Sequence, residues 1–210
     1  MCSIGRVAGR AGSVVPMSNP VFALIGRAEY LTFERDGQAR HEWVGGEIFA
    51  MTGGSARHNR ISGRLFARLL PGAESNGCRA YVADMKVVTA DFGYYPDVMV
   101  VCDPDMPGEY HEERPCLIAE VLSPSTADRD RREKKNAYLT IPTLAHLLLI
   151  RQDDTQIEHY FREPDGRWNH HQLGPDDDIV LRCPELRLPV MDLYIGLGLD
   201  PDQPAGRTPH

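Results

Sequence analysis

Two short apolar runs, each carrying one carboxylate, constrain this sequence most. The first spans residues 95–101 and contains Asp97, and the second spans residues 116–122 and contains Glu120. Continuous β-branched and apolar residues bounded by Pro, Asp or Ser are typical of strands covered on both faces. An ionised carboxylate in such a strand needs a cation or several hydrogen-bond donors nearby. Two acids on neighbouring strands therefore indicate a divalent metal ion.

The length and composition predict one globular domain. The chain has 210 residues, of which 42% are hydrophobic and 25% charged. This is enough apolar material for a sizeable core. We expect a flexible leader over residues 1–18, a single domain over 19–197 and a flexible tail over 198–210. No apolar run reaches the length of a membrane span, and residues 1–18 lack the apolar core of a secretory signal, so we expect no membrane partner.

Cysteine usage and net charge indicate the redox compartment of the protein and limit how it could bind nucleic acid. The cysteines are odd in number, widely spaced and form no CxxC pair: Cys2, Cys78, Cys102, Cys116 and Cys183. This pattern favours a reducing, cytoplasmic compartment and argues against a zinc knuckle or a disulfide framework. The formal net charge of -7 means that bound nucleic acid would have to meet a local basic patch.

Hydrophobic periodicity predicts the order of the elements. The clearest helix spans residues 55–70, with Ser55 as its N-cap and Pro71 at its end, because Ile61, Leu65 and Leu69 repeat every four residues. The other predicted elements are a helix over 21–34 capped by Asn19, a hairpin over 41–50 turning at Gly45-Gly46, a strand over 78–89, a helix over 128–140, a strand over 145–150 and a hairpin over 155–173.

A stripe of arginines follows the adjoining face of the helix over 55–70. Arg57, Arg60, Arg64 and Arg68 recur at three- and four-residue spacing. They could contact nucleic-acid phosphates, or they could form an ordinary solvated helix face, which is the more frequent role of surface charge. His58, at the start of the same helix, could likewise contact phosphate or serve only in packing or capping.

The order helix, three strands, helix, strand resembles the αβββαβ core of restriction-endonuclease-like nucleases. The chain is similar to the PD-(D/E)XK nuclease superfamily and, within it, to the Uma-two family of restriction endonucleases. The resemblance implies an α/β (α+β) fold with a mixed central β-sheet flanked by helices and an N-terminal β-hairpin. The motifs that carry it are His41-Glu42, Gly46-Glu47-Ile48, Arg57-His58-Asn59, Asp84-Met85, Tyr95-Pro96-Asp97-Val98, Glu120-Val121-Leu122-Ser123-Pro124-Ser125-Thr126, Asp130, Glu133-Lys134 and Tyr138.

The resemblance also implies a set of site residues. Asp97 and Glu120 match the acids that bind Mg²⁺ or Mn²⁺ in the superfamily, and Glu47 is our choice for the early acid that completes the metal shell. The superfamily lysine, expected two residues after Glu120, is replaced by Leu122. Lys134 in the following helix is the first candidate to replace it.

Several residues remain open at this stage. Lys86 is the second candidate for the missing lysine, although it shares a predicted strand face with Asp84, and the two could simply neutralise each other. Tyr138 falls four residues after Lys134, and Lys134 four after Asp130, so all three share one helix face. Asp97 and Glu120 could also be structural acids in an ion-pair network.

The implied activity is metal-dependent hydrolysis of phosphodiester bonds in DNA or another nucleic acid. Cleavage of both duplex strands would need two sites, so a homodimer is expected. A catalytically inactive nuclease fold that binds nucleic acid or mediates assembly is the main alternative, favoured by the missing lysine and the acidic charge. A small-molecule metallohydrolase ranks last, because no His-rich ligand motif is present.

Overall fold

The computed structural model describes residues 24–51, 53–105, 108–123 and 130–199, and it has the predicted mixed α+β architecture. The expected leader and nearly all of the expected tail lie outside these residues. The elements in chain order are α1 (Arg27–Asp36), β1 (His41–Val44), β2 (Glu47–Ala50), α2 (Ala56–Ser75), β3 (Arg79–Val82), β4 (Lys86–Val88), β5 (Phe92–Tyr94), β6 (Val98–Val101), β7 (His111–Glu112), β8 (Leu117–Leu122), a π-helical turn (Asp130–Lys134) continuing into α3 (Lys135–Tyr138), β9 (His146–Arg151), β10 (Ile157–Arg162), β11 (Trp168–Leu173), β12 (Asp178–Arg182), β13 (Glu185–Pro189) and a 3₁₀ turn (Val190–Leu193).

The central sheet has six strands in the order β11-β10-β9-β8-β6-β3. Its β8–β9 pair is parallel and its other pairs are antiparallel. The two acid-bearing runs supply β6 and β8, and every residue of both strands is buried. The predicted helix, three strands, helix and strand correspond to α2, β3, β6, β8, the helical segment 130–138 and β9.

Both faces of the central sheet are covered. Alternate residues of β6 and β8 pack against Ile61, Leu65 and Leu69 of α2, which are fully buried as the four-residue spacing predicted. The other set packs with Tyr138 and with strands of a second sheet, whose order is β2-β1-β5-β4-β7. Side chains of β6 and β8 on this second face therefore point toward the segment 130–138.

Helix α2 is longer than predicted. Its N-cap is Ser55, whose hydroxyl accepts a hydrogen bond from the His58 backbone N–H at 3.1 Å. It passes through Pro71 and ends at Ser75. Proline removes one backbone donor, but Leu69 and Ala73, on either side of it, are fully buried. Packing of this apolar face outweighs the local cost, so the prediction of a stop at Pro71 was wrong.

The predicted strand over 78–89 is two strands in different sheets. β3 belongs to the central sheet and β4 to the second sheet. Between them, Ala83 and Asp84 both adopt φ +51, a left-handed conformation that favours glycine. The Ala83 N–H donates to the Asp97 carbonyl at 3.0 Å, which fixes this bend beside the start of β6. Residue alternation alone could not show such a bend.

The N-terminal elements match in type but not in every boundary. Helix α1 begins at Arg27 with Gly26 as N-cap, later than the predicted start, and the predicted cap Asn19 lies outside the described residues. The hairpin of β1 and β2 turns at Gly45 and Gly46, which have φ +55 and +95, as predicted. None of the helices in the described ranges is long and apolar enough to cross a membrane.

The cysteines do not follow the prediction. The structure pairs Cys78 with Cys102 and Cys116 with Cys183 in disulfides. These pairs are separated by 24 and 67 residues in sequence. Spacing along the chain does not reveal that strand ends meet in space, which is why the expectation of no disulfide framework failed.

Candidate active site

An open cleft of about 680 Å³ lies at the end of the central sheet where β6 begins. It is bounded by the start of α2, the bend after β3 and the residues that follow β8 and β9. Its polar and charged lining includes Arg40, Ser55, His58, Asn59, Asp84, Asp97, Glu120, Ser123, Lys134 and Gln152.

The sheet register brings Asp97 and Glu120 together. Val98 pairs with Ala119 in the antiparallel β6–β8 ladder, so one further step places Asp97 opposite Glu120. Residues directly opposite in such a ladder have Cα atoms about 4.5–5.5 Å apart. Both acids line the cleft. The two carboxylates singled out from the sequence therefore converge on one site.

Asp97 is held by two donors from different elements. Its Oδ2 accepts a hydrogen bond from the Val121 backbone N–H at 2.6 Å and lies 3.1 Å from Nε2 of His58. Because a carboxylate oxygen only accepts, the His58 ring carries its hydrogen on Nε2. His58 thus reaches from α2 into the cleft and orients the Asp97 carboxylate.

Glu120 is buried against the helical segment 130–138. It is 3% exposed. Its Oε1 accepts a hydrogen bond from the Tyr138 hydroxyl at 2.6 Å and lies 3.6 Å from the Lys134 ammonium. The four-residue spacing of Lys134 and Tyr138 places both on one helix face, as predicted. Asp130, the third residue of that spacing, has no described side chain.

A buried lysine lies within this cluster. Lys134 is 7% exposed, and its Nζ lies 2.7 Å from Oε1 of Glu42 in β1 and 5.5 Å from the ring centre of Tyr94. The backbone forms a π-helical turn that ends at this residue. Such turns are rare in proteins, and those that occur are often at functional sites, because the wider turn changes the direction of the side chains.

Leu122, which stands where the resemblance led us to expect a lysine, is buried. It is 3% exposed and packs in the apolar cluster that contains Tyr138 and Leu149. A lysine at position 122 would have to place its charge in this cluster. The segment 130–138 instead delivers the ammonium of Lys134 to Glu120 from above the strand.

Sequence reasoning missed Glu42. Glu42 is 4% exposed and contacts Lys134, whereas Glu47 is exposed beside the hairpin turn and is not part of the cleft lining. The structure therefore does not bring Glu47 together with Asp97 and Glu120. The sequence did contain a signal for Glu42. It is the only acid in the run from His41 to Val44, and the bulky residues of that run are typical of a buried strand.

Lys86 lies outside the cleft lining. It is 5% exposed, and its Nζ lies 5.2 Å from the ring centre of Tyr95. Burial lowers the pKa of Lys86, and the nearby Glu34 partly opposes this effect. Its predicted pairing with Asp84 is absent among the described contacts, because the left-handed bend separates the two positions.

Asp84 lies at the cleft rim. Its Oδ1 is 2.5 Å from Nη1 of Arg40, and both side chains are more than half exposed. An exposed pair of this kind contributes little to stability. Arg40 is therefore available to exchange Asp84 for another anion that enters the cleft.

A second feature missed from the sequence links two walls of the cleft. The Ser55 hydroxyl donates to Oε1 of Gln152 at 2.6 Å while it caps α2. Gln152 follows β9 and is 5% exposed. This contact fixes the start of α2, and hence His58, relative to the central sheet.

The arginine stripe of α2 donates hydrogen bonds to a turn near the end of the described residues. Arg60 donates to the Gly196 carbonyl at 3.2 Å, and Arg64 donates to the Leu193 carbonyl at 3.0 Å. Arg57 likewise donates to the Leu197 carbonyl, and Arg68 donates to the Asp192 carboxylate. The stripe therefore binds the turn over residues 192–197, and none of its members is part of the cleft lining.

The donor set fits a hard divalent cation. Two carboxylates from adjacent strands reach one open cleft, and Mg²⁺ needs only one or two protein carboxylates because it keeps several waters. Among described contacts, Oδ2 of Asp97 takes both donors and none is made to Oδ1. Asp97 and Glu120 are the residues that would hold the ion.

Comparison with known proteins places this chain in a family. Residues 27–191 match the family model of Uma2, described as "Putative restriction endonuclease". The chain belongs to the Uma2 family. This Uma2 chain is 34% identical over 179 residues to the uncharacterized protein slr1290 of Synechocystis sp. (strain ATCC 27184 / PCC 6803 / Kazusa), covering 84% of this chain and 94% of the relative. It is 38% identical over 149 residues to sll1609 of the same organism, covering 67% and 82% respectively.

A solved structure supports the fold of this Uma2 chain. A crystal structure from Anabaena variabilis ATCC 29413, described as a putative nuclease belonging to DUF820, superposes with a TM-score of 0.66. It is 19% identical and covers 81% of this chain and 97% of its own. At that identity the likeness establishes the fold, and the family match supports a nuclease-like role.

Proposed function

We propose that this protein is a Mg²⁺- or Mn²⁺-dependent endonuclease that hydrolyses phosphodiester bonds of DNA. The observation that carries the proposal is the meeting of Asp97, Glu120 and Lys134 in one open cleft. Acids on adjacent strands can hold a metal ion for phosphodiester hydrolysis, and a lysine beside them adds positive charge. Membership of the Uma2 family supports the same reaction class.

Asp97 and Glu120 are the proposed metal ligands. A divalent cation held there would supply positive charge to the phosphate oxygens and increase the acidity of a bound water. Asp97 is already oriented by Val121 and His58, and Glu120 by Tyr138. This orientation avoids reorganisation of the carboxylates when a substrate arrives.

Lys134 is the proposed cationic residue of the reaction. Its ammonium lies between Glu42 and Glu120, at 2.7 Å and 3.6 Å. A lysine in this position stabilises negative charge that develops on the phosphate and donates a hydrogen bond to the attacking water. Glu42 is a positioning residue in this proposal, because it holds the ammonium and is not itself part of the cleft lining.

Arg40 and dimer formation are proposed to act in substrate binding rather than in the chemical step. Arg40 is half exposed at the rim, where it can contact a backbone phosphate in place of Asp84. Cleavage of both strands of a duplex needs two such clefts, so we propose that the active species is a homodimer.

The non-catalytic alternative rests on the same lysine. Lys134 Nζ lies closer to Glu42 than to Glu120. If this ion pair persisted with substrate bound, the fold would bind nucleic acid without cleaving it. Binding and cleavage therefore have to be measured separately.

The test is calorimetric titration of Mn²⁺ into wild type, Asp97→Asn and the control Asp176→Asn, an exposed acid outside the cleft. The same samples are then incubated with supercoiled and single-stranded DNA. We expect metal binding and metal-dependent nicking in wild type and the control, and loss of both in Asp97→Asn. Binding without nicking would favour the non-catalytic alternative, and equal binding in all three proteins would refute the metal site.

A further inference from the structure

The sulfur atoms of four cysteines converge at the end of the central sheet opposite the cleft. Cys78 precedes β3, Cys102 follows β6, Cys116 precedes β8, and Cys183 lies between β12 and β13. Cys102 is five residues along the chain from Asp97, which corresponds to roughly 17 Å of extended strand. The cluster is therefore separate from the proposed nuclease site.

The sheet register creates this convergence. Arg79 pairs with Val101, so Cys78 faces Cys102 across β3 and β6. The Cys116 N–H donates to the Val100 carbonyl at 2.8 Å, which places Cys116 on the other side of β6. Three cysteines from adjacent strands thus meet at one sheet end, and the hairpin of β12 and β13 brings the fourth.

The contacts between the two disulfides are close. Sγ of Cys102 lies 3.2 Å from Sγ of Cys183 and 3.6 Å from Sγ of Cys116. The sulfur atoms of these three residues all lie within 4.8 Å of one another, and Cys78 is bonded to Cys102. Tetrahedral Zn²⁺ with four sulfur ligands at about 2.3 Å places those sulfurs about 3.8 Å apart. The separations from Cys102 to Cys116 and to Cys183 are close to this value, and Cys78 joins the group through its bond to Cys102.

We propose that, in the reduced protein, Cys78, Cys102, Cys116 and Cys183 form one tetrathiolate site for Zn²⁺. Soft thiolates select zinc over the hard cations that suit the carboxylate cleft. Two side chains, Cys78 and Cys116, are each 8% exposed, whereas Cys102 is exposed and gives the ion access. The disulfide-bonded form cannot bind zinc in this way, because its sulfurs carry no thiolate charge.

A neighbouring network holds the ligand strands in place. Arg79 donates to the Asp103 carbonyl at 2.8 Å and to Oε1 of Glu112 at 3.0 Å. These contacts fix the residues next to Cys78 and Cys102 without involving any cysteine. Reduction of the disulfides therefore leaves the ligand backbone supported.

The first test uses the 210-residue protein, reduced under anaerobic conditions with a water-soluble phosphine that is then removed. For each disulfide that is reduced to two thiols, the phosphine gives up two electrons and becomes a phosphine oxide, and one water supplies the oxygen and the two protons. The reduced protein is titrated with Co²⁺ and then Zn²⁺. We expect one Co²⁺ per chain with the absorption of tetrahedral cobalt thiolate, displaced by one Zn²⁺. Cys183→Ser should lose that spectrum, and Cys2→Ser, which removes the remaining cysteine of the sequence, should keep it.

The second test needs no variant. Reduced protein is alkylated under native conditions with and without Zn²⁺, and the added mass is measured. We expect zinc to protect four of the five thiols. A reduced wild type that binds no Co²⁺, a Cys183→Ser spectrum equal to wild type, or equal alkylation with and without Zn²⁺ would overturn the proposal and leave the cluster as two disulfides only. Neither test depends on nuclease activity.

Discussion

The ammonium of Lys134 lies 2.7 Å from a carboxylate oxygen of Glu42, and both side chains are less than a tenth exposed. Glu120, equally buried, lies 3.6 Å from the same ammonium. A buried charge is stable only with a partner, because desolvation of an ion costs several kcal/mol. Lys134 therefore offsets the charge of two acids from two different sheets, and its removal should lower the free energy of unfolding.

Lys134→Met should destabilise the metal-free protein by about 3–5 kcal/mol, because it leaves two carboxylates buried without this cation. Mn²⁺ should restore more stability to the variant than it adds to wild type, since the metal supplies positive charge beside Glu120. Urea unfolding with and without Mn²⁺ measures both effects. Lys135→Met is the matched control, because this neighbouring lysine lies over the Tyr160 ring and has no buried carboxylate partner among the described contacts. Equal destabilisation by the two substitutions would contradict the account.

Glu42→Gln should slow cleavage by roughly 10- to 100-fold, the usual effect of losing a residue that positions a catalytic group. The amide retains the size of the side chain but no longer attracts the ammonium of Lys134. Glu47→Gln is the control, since Glu47 is exposed beside the hairpin turn. Single-turnover cleavage rates at saturating metal separate the two. A larger loss of cleavage rate in Glu47→Gln would instead support Glu47 as the acid that completes the metal shell.

The strand-based parts of the site and the shared helix face could be predicted from the sequence, whereas backbone bends and contacts between the sheets could not. Asp97 and Glu120 lie on buried strands whose pairing follows from pattern and order, so their convergence was foreseeable. Lys134 and Tyr138 share a face because of their four-residue spacing. The bulky neighbours of Glu42 indicated that it is buried, but its contact with Lys134 depends on the packing of one sheet on another, which local periodicity does not reveal.

The same limit explains the other differences. Ala83 and Asp84 turn the chain in a conformation that alternation does not encode. Arg60 and Arg64 find their acceptors about 130 residues later in the chain, in the turn over 192–197. Only the folded chain brings such distant groups together.

Tyr138→Phe should lower the free energy of unfolding by about 1.5–3 kcal/mol, the usual value of a hydrogen bond to a charged group. The lost bond is the 2.6 Å contact to Glu120, which is buried. Tyr194→Phe removes a comparable buried hydroxyl that donates to the Arg151 carbonyl at 2.9 Å. This neutral acceptor should make its loss smaller, about 0.5–1.5 kcal/mol, and should leave Mn²⁺ binding unchanged. Weaker Mn²⁺ binding in Tyr194→Phe than in Tyr138→Phe would count against the orienting role of Tyr138.

Arg64→Ala should destabilise the protein by about 1–2 kcal/mol and leave DNA affinity unchanged, because its guanidinium binds the Leu193 carbonyl. Arg40→Ala should lower DNA affinity and leave stability nearly unchanged, since Arg40 lies exposed at the cleft rim. Loss of one phosphate contact lowers the slope of log affinity against log salt by about 0.9. Filter binding across a salt series, together with thermal unfolding, measures both variants. A reduced salt slope in Arg64→Ala would restore the phosphate-binding role of the arginine stripe.

Two buried histidines should make the protein less stable in mild acid. His146 Nδ1 lies 3.0 Å from His159 Nε2, and His146 Nε2 accepts a hydrogen bond from the Arg182 backbone N–H at 3.0 Å. Because His146 Nε2 accepts, its hydrogen is on Nδ1 and is donated to His159, so both rings are neutral. Burial lowers the pKa of His146 to about 3, with His159 and Arg182 adding repulsion. Burial likewise lowers the pKa of His159 to about 4, with further repulsion from His171, His170 and Arg182.

These depressed values fix the direction and range of the pH dependence. An unfolded histidine has a pKa of about 6.5, so below that pH the unfolded chain binds protons that the folded chain does not. The free energy of unfolding should be highest above about pH 6.5 and fall toward about pH 4, by at most about 1.4 kcal/mol per pH unit for each ring. Urea unfolding at several pH values measures this slope. His159→Gln should reduce this slope more than the exposed control His170→Gln, because repulsion from His170 is only a secondary cause of the lowered pKa of His159. An unchanged slope in His159→Gln would show that other groups cause the acid sensitivity.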